Sequence, residues 1–184
     1  GHQYWGIGGY RDSYPQVITS KYPITYISKI VGDESDVIVS HGAGWATIEV
    51  NGKTINIVTL HTWPQAYAYK AEDRNASRAE NGGDKYRARE IQYICENTIG
   101  TVDKASEQLW MMMGDFNSRS RLDNDQYGYA EDDTKLLVHN YVLDNTPYID
   151  VIKSKHPDKF IPSVGAKNSR IDFVYCTKPL YDRV

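Results

Sequence analysis

Cysteine is scarce in this chain, with two in 184 residues. Cys95 lies in a helical pattern and Cys176 in an apolar strand, so both read as buried thiols and not as a bridge. No Cys/His spacing of the zinc-binding kind occurs, which excludes a structural zinc site of that type. No apolar run approaches the length of a membrane-spanning helix. No secretory signal is visible, but Gly1 stands where a Met would open a chain. It reads as a cut end, so localisation stays open and any leader or anchor would be encoded upstream. Excess charge is also missing. Lys and Arg number 21 against 24 Asp and Glu, for a net charge of −3 and a pI near 6.0. That excludes a generally basic surface of the kind that holds nucleic acid through its phosphates, and leaves only a local basic cleft. Phenylalanine is rare, at 3, while tyrosine reaches 15. With an apolar body and a polar tip, tyrosine suits half-exposed strands and cleft walls. There is no internal repeat or low-complexity tract.

What remains is ordinary globular composition, 40% hydrophobic and 24% charged, at a length that supports one domain with a real core. Residues 1–20 are rich in Gly and Tyr and open without a periodic element, followed by a short strand near 14–20. Strands are predicted over Ile24–Val31 and at Val37–Ser40. The clearest local signal is Trp45–Val50, then Asn51-Gly52, then Thr54–Leu60. Asn-Gly between two β-rich runs is the strongest short hairpin cue, because a tight turn needs positive φ at both central residues. Trp63–Asp84 is polar and reads as a long exposed loop, in which Tyr67 and Tyr69 stand beside Trp63 as aromatics able to stack on a base or sugar. Lys85–Ile99 reads as a helix with Ala88, Ile91, Ile94, Cys95 and Ile99 on one stripe. Arg87, Arg89, Glu90 and Glu96 fall mostly elsewhere, and the Arg pair reads as a solvated face. Ser118–Glu131 is a polar loop, Thr134–Leu143 a helix with Asp132 and Asp133 at its positive end, Tyr148–Ile152 a strand, Lys153–Lys167 a loop and Ile171–Cys176 the last strand.

The apolar run Leu109–Met113 is followed by Gly114-Asp115-Phe116-Asn117. Five apolar residues in a row fit a strand buried on both faces. If the chain stays extended beyond Gly114, Asp115 and Asn117 share one face while Phe116 anchors the other. A strand-ending turn is the alternative, since Gly, Asp and Asn all favour turns. Two other stretches bear on the choice: Thr59-Leu60-His61-Thr62-Trp63-Pro64, with a histidine just after a strand, and Ser169-Arg170-Ile171-Asp172-Phe173-Val174-Tyr175, with Arg and Asp at the start of another. In this order, and over nearly the whole chain, the three resemble the endonuclease/exonuclease/phosphatase superfamily, the metal-dependent phosphoesterases related to pancreatic DNase.

The resemblance implies a single α+β domain over 1–184, a four-layered α/β sandwich of two mostly antiparallel sheets flanked by helices, with the site at the strand ends along one edge. It implies a catalytic set of His61, Asp115, Asn117 and Asp172. Asp115 would orient or deprotonate the attacking water, Asn117 would hydrogen-bond phosphate or nucleophile, and His61 would stabilise phosphate or act as an acid. Asp172 would support the metal or orient a further histidine. Arg170 and Trp63 stand as substrate-binding candidates, although an Arg at such a position more often braces the structure. Carboxylate oxygens select Mg²⁺ or Mn²⁺, so Asp115 and Asp172 are the metal-ligand candidates. The main Glu ligand of the family is expected upstream of Gly1, and a Ser-Asp-His segment is expected beyond Val184; on this reading the chain is cut at both ends. The expected activity is hydrolysis of a phosphodiester or phosphomonoester by activated water, on a nucleic acid or a sugar or lipid phosphate, by a monomer with no obligate protein partner. The alternative is a catalytically inactive binding module of the same fold.

Overall fold

Asn51 and Gly52 both have positive φ, 51° and 72°, the geometry of a two-residue turn whose twist matches the strands it joins. The turn connects β4 (Ile38–Val50) to β5 (Lys53–His61) in an unbroken antiparallel ladder from Val50↔Lys53 to Ala43↔Leu60. The computed structural model describes residues 1–7, 16–32, 38–64 and 80–184. Its other strands are β1 (His2–Ile7), β2 (Gln16–Ser20), β3 (Ile24–Gly32), β6 (Leu109–Asp115), β7 (Tyr148–Asp150) and β8 (Asp172–Thr177). Six strands form a sheet in the order β3-β4-β5-β6-β8-β7, and β1-β2 form a separate pair. Every neighbouring pair is antiparallel except β5 and β6. A parallel pair needs a long crossover, and residues 62–108 supply it with α1 (Asp84–Glu96). Among the described residues the remaining α-helices are α2 (Asn124–Tyr127), α3 (Leu137–Asn145), α4 (Val151–Lys155) and α5 (Lys178–Tyr181). None of the described helices is long and apolar enough to cross a membrane.

Strand alternation gives the sheet two unlike faces. Val58, Leu60, Trp110, Met112, Phe173 and Tyr175 are buried in one cluster with Ile91, Ile94 and Cys95 of α1 and Val138 and Val142 of α3. Burial of each large apolar side chain there is worth roughly 1.5–3 kcal/mol. On the other face Ile55, Leu109, Met111 and Val174 are only half-buried, against Val151, Cys176 and Leu180. At its far end Ile18 of β2 packs with Ala46, Ile24 and Ile27. The run Leu109–Met113 is therefore a strand, as expected, but its burial alternates and is not equal on both faces.

Other local expectations shift for identifiable reasons. The opening segment, read as lacking a periodic element, contains β1, which pairs with β2. The predicted strand Tyr148–Ile152 stops at Asp150, whose carboxylate accepts the Lys153 N–H at 3.0 Å and caps α4. The polar stretch after Ser118 forms α2. Asp133 accepts the Lys135 N–H at 2.9 Å, ahead of α3. The loop aromatics Tyr67 and Tyr69 lie outside the described residues. Both cysteines are buried and free, as their contexts suggested.

His139, fully buried in α3, places its Nδ1 2.7 Å from the Tyr175 hydroxyl and packs on Phe116 and Phe173. Burial pushes its pKa down from 6.5 to about 3. The folded pKa lies below the unfolded one, so this contribution to stability is complete above about 6.5 and is lost as pH falls towards 3. The slope reaches at most about 1.4 kcal/mol per pH unit. His139→Phe removes that slope along with the tyrosine contact. Urea unfolding at pH 7 and pH 4.5 should show the stability gap between wild type and variant narrowing at the lower pH; a constant gap would contradict a neutral buried imidazole.

Candidate active site

Three strand ends meet in a row. His61 closes β5, Asp115 closes β6 and Asp172 opens β8. The register sets His61 opposite Asp115 and Asp115 opposite Asp172. Residues opposed on adjacent strands point to the same face with Cβ atoms about 5 Å apart, so three positions distant in sequence share one small surface. His61 Nε2 lies 3.7 Å from Asp115 Oδ2, and their side chains are 22% and 29% exposed. That separation is ion-pair range, longer than a direct hydrogen bond, and both groups can be reached from solvent.

The Gly-Asp-Phe-Asn stretch is a turn and a site edge at once. Asp115 Oδ1 accepts the Asn117 N–H at 2.8 Å, and Asn117 has φ 46°. The expectation of an extended chain with Asp115 and Asn117 on one face is thereby corrected, because an Asx-type hydrogen bond turns the backbone. Phe116 drops into the core beside Phe173 and Tyr175. Gly114 of β6 pairs with Leu60 of β5. With φ 150°, a Cβ there would collide with the Leu60 carbonyl oxygen.

The chain leaving His61 is held at every backbone group of its next two residues. Thr62 N–H donates to the Asp115 carbonyl at 3.0 Å, and the Thr62 carbonyl accepts from Asn117 Nδ2 at 3.2 Å. Trp63 N–H donates to Glu90 Oε2 at 2.8 Å, and its carbonyl accepts from Arg87 at 2.9 Å. The candidate amide of Asn117 therefore braces the histidine strand, with its Nδ2 turned to Thr62. Asp172 is exposed, and its N–H and that of Ile171 both donate to Ser163 Oγ.

Two substrate-binding candidates are corrected by the geometry. The Arg170 guanidinium, 3% exposed, forms a two-pronged pair with Asp150 (3.1 and 2.6 Å), binds Asp123 at 2.8 Å and lies over the Phe173 ring. Its charge is matched by two buried carboxylates, so it braces the start of β8 and is not presented to a phosphate. Trp63 is buried against Tyr86 and is not an exposed stacking platform. The solvated-face reading of Arg87 is likewise overturned: Arg87 and Glu90 are both fully buried.

One residue beside the row was not singled out in the sequence. His41 of β4 is buried and stacks on His61, with ring centroids 4.5 Å apart and planes 28° from parallel. The signal was the hairpin itself, since counting back from Asn51-Gly52 carries position 41 to the end of β5. Electrostatically the row is strained. Burial raises the Asp115 carboxyl above its usual range, with Asp172 adding to the rise and the Asn117 N–H and His61 opposing it. Burial lowers the His61 imidazole, with Asp115 and Asp172 opposing.

The donor chemistry of Asp115 and Asp172 suits a hard divalent cation, and their proximity is the like-charge arrangement such an ion relieves. The number of donors falls short. Among the described residues no group of three or more His, Cys, Asp or Glu side chains could hold a metal ion, so this carboxylate pair does not close a metal site by itself.

No family model and no curated protein matches the sequence. Solved structures do match the fold. The human Nocturnin catalytic domain, with bound sulfate anion, is similar at TM-score 0.65 and 10% identity over 96% of this chain and 60% of its own. A humanized D. rerio TDP2 is similar at 0.54 and 12% identity, over 96% and 60%. An endonuclease/exonuclease/phosphatase family protein from Leptotrichia buccalis is similar at 0.53 and 17% identity, over 96% and 59%. The chain thus spans about three-fifths of the length of each structure. Its mixed six-stranded sheet, with a parallel central pair and helices packed on both faces, has the DNase I-like fold of the endonuclease/exonuclease/phosphatase proteins.

Proposed function

We propose that this chain carries part of the active site of a divalent-metal-dependent phosphoesterase that hydrolyses a phosphodiester or phosphomonoester with an activated water. The observation that carries the reading is the row His61, Asp115, Asp172 on one sheet face, at paired positions of three adjacent strands. Asp115 has one oxygen fixed by the Asn117 N–H and the other directed towards His61. A carboxylate whose pKa is raised by burial is a better proton acceptor than a free one, which suits it to orient and deprotonate water. His61 stands across a 3.7 Å gap from it, and in this reading it would donate to a phosphoryl oxygen or the leaving oxygen. Asp172 completes the row and keeps the local potential negative, so a cation is needed before a phosphate can approach. That cation is proposed to be Mg²⁺ or Mn²⁺. Asp115 and Asp172 would contribute oxygens, and the rest of the ligand set would come from beyond the described residues. When bound, the ion would neutralise charge on the phosphoryl group.

The test is hydrolysis of DNA, RNA, sugar phosphates and phospholipid with Mg²⁺ or Mn²⁺, followed by chelation. Turnover of one substrate class is expected, falling to background with EDTA and returning on addition of metal. The second reading is an inactive binding module of the same fold. Inertness of the full-length protein towards all four classes with either metal would favour that reading instead.

A further inference from the structure

The crossover helix α1 buries an acid that the hydrolytic reading does not use. Glu90 is fully buried. Its Oε1 accepts the Ser40 N–H at 2.7 Å and its Oε2 accepts the Trp63 N–H at 2.8 Å. Ser40 immediately precedes His41, and Trp63 lies two residues after His61. The β4–β5 ladder has its last pair at Ala43↔Leu60, so one carboxylate takes over where the sheet's own pairing ends. Each of its oxygens holds one of the two histidine-bearing segments. Arg87, one turn earlier on α1, supplies the balancing charge. It donates to the Trp63 carbonyl and the Gly82 carbonyl, each at 2.9 Å, and to Asp84 at 2.6 Å.

The residue type is specific to this task. A carboxylate offers two acceptor oxygens and no donor, whereas an amide of the same shape offers one acceptor and turns an NH₂ group on the second N–H. An aspartate has the same two oxygens but is one methylene shorter, which draws them back from both N–H groups at the same helix position. Burial pushes the Glu90 pKa up from 4.5 to about 7, with the two backbone N–H groups and Arg87 opposing. The group is thus held under a desolvation cost that its hydrogen bonds only partly offset.

We infer that Glu90 is a positioning residue for the candidate active site, tying the Ser40–His41 and His61–Trp63 segments together so that the two imidazoles stay stacked and His61 faces Asp115. The inference rests on the reading of His61 and Asp115 as the site, but its test does not depend on turnover. Glu90→Gln and Glu90→Asp are compared with wild type by ring-proton NMR at one fixed pH and by amide hydrogen exchange. In Glu90→Gln the His41 and His61 ring resonances should move while those of His139 and His156 stay in place. Exchange at Ser40 or Trp63 should quicken about tenfold or more on loss of its acceptor. Unmoved His41 and His61 resonances in a folded variant, with only a general loss of stability, would reduce Glu90 to a core residue. If neither variant folds, wild type still decides the matter. The Glu90 carboxyl carbon and the Ser40 and Trp63 amides should titrate together with one midpoint, and independent behaviour overturns the inference. On an active preparation, Glu90→Gln should lower kcat about ten- to a hundredfold with KM little changed, and a change in KM alone would contradict it. An inert protein that shows the NMR shifts removes the hydrolytic reading and leaves the positioning geometry in place.

Discussion

Asp115→Asn is expected to cut the rate of phosphate-ester hydrolysis by about 10²–10⁴-fold while leaving the fold as stable as before or slightly more so. The substitution keeps an oxygen for the Asn117 N–H, so the turn after β6 survives. It removes the negative charge that faces His61, and with it the proton acceptor. Stability is expected to hold because burial and the Asp172 charge both raise the Asp115 carboxyl, against the pull of His61 and the Asn117 N–H. Neutralising a group held against desolvation and like charge relieves more than it removes, as is common for site carboxylates. Steady-state rates and a thermal melt of the same preparation check both halves. A lowered melting temperature with an unchanged rate would make Asp115 a structural turn residue.

Gly114→Ala should have the largest effect on folding, about 3 kcal/mol or more, from a single methyl group. At φ 150° an added Cβ would fall on the Leu60 carbonyl oxygen, with the carbonyl carbon 2.9 Å away. Both are backbone atoms of the neighbouring strand, so no side chain can swing aside. Relief would require β5 and β6 to part where His61 faces Asp115. Gly52→Ala and Gly128→Ala are the controls. Both positions have positive φ but nothing within 4 Å of the added atom, so they should lose only about 1 kcal/mol of backbone preference. Denaturant midpoints of the three variants separate collision from conformational strain. Equal losses would show that the strands can adjust at no extra cost.

The elements that could be read from sequence are those whose local and tertiary requirements agree. Asn51-Gly52 demands one kind of turn, and the apolar run at Leu109–Met113 has the composition of a strand wherever it packs. The three strand-end motifs were visible for the same reason, since a polar residue ending an apolar run has few uses. Arg87 and Glu90 were misread because amphipathic patterning assigns a helix face by residue type. It fails where a charged side chain is buried to satisfy backbone groups of another segment, as these two do for Trp63 and Ser40. Arg170 was ambiguous because its partners Asp123 and Asp150 come from a loop read as featureless and a strand that ends early. Trp63 looked exposed because a polar stretch follows it, yet its ring belongs to the core beside Tyr86.

The strand order has a consequence for how the molecule comes into being. β8 lies between β6 and β7, so β7 has its only described strand partner in a segment synthesised after it. Until residues 172–177 leave the ribosome, Asp115 lacks its Asp172 neighbour and the edge of β6 stays open. A nascent chain ending before Ile171 can build the β3–β4–β5 meander, which is local in sequence, and can dock α1 upon it. It cannot assemble the row of His61, Asp115 and Asp172. The row therefore cannot form until β8 has been made, and growing chains expose the β6 edge in the interval.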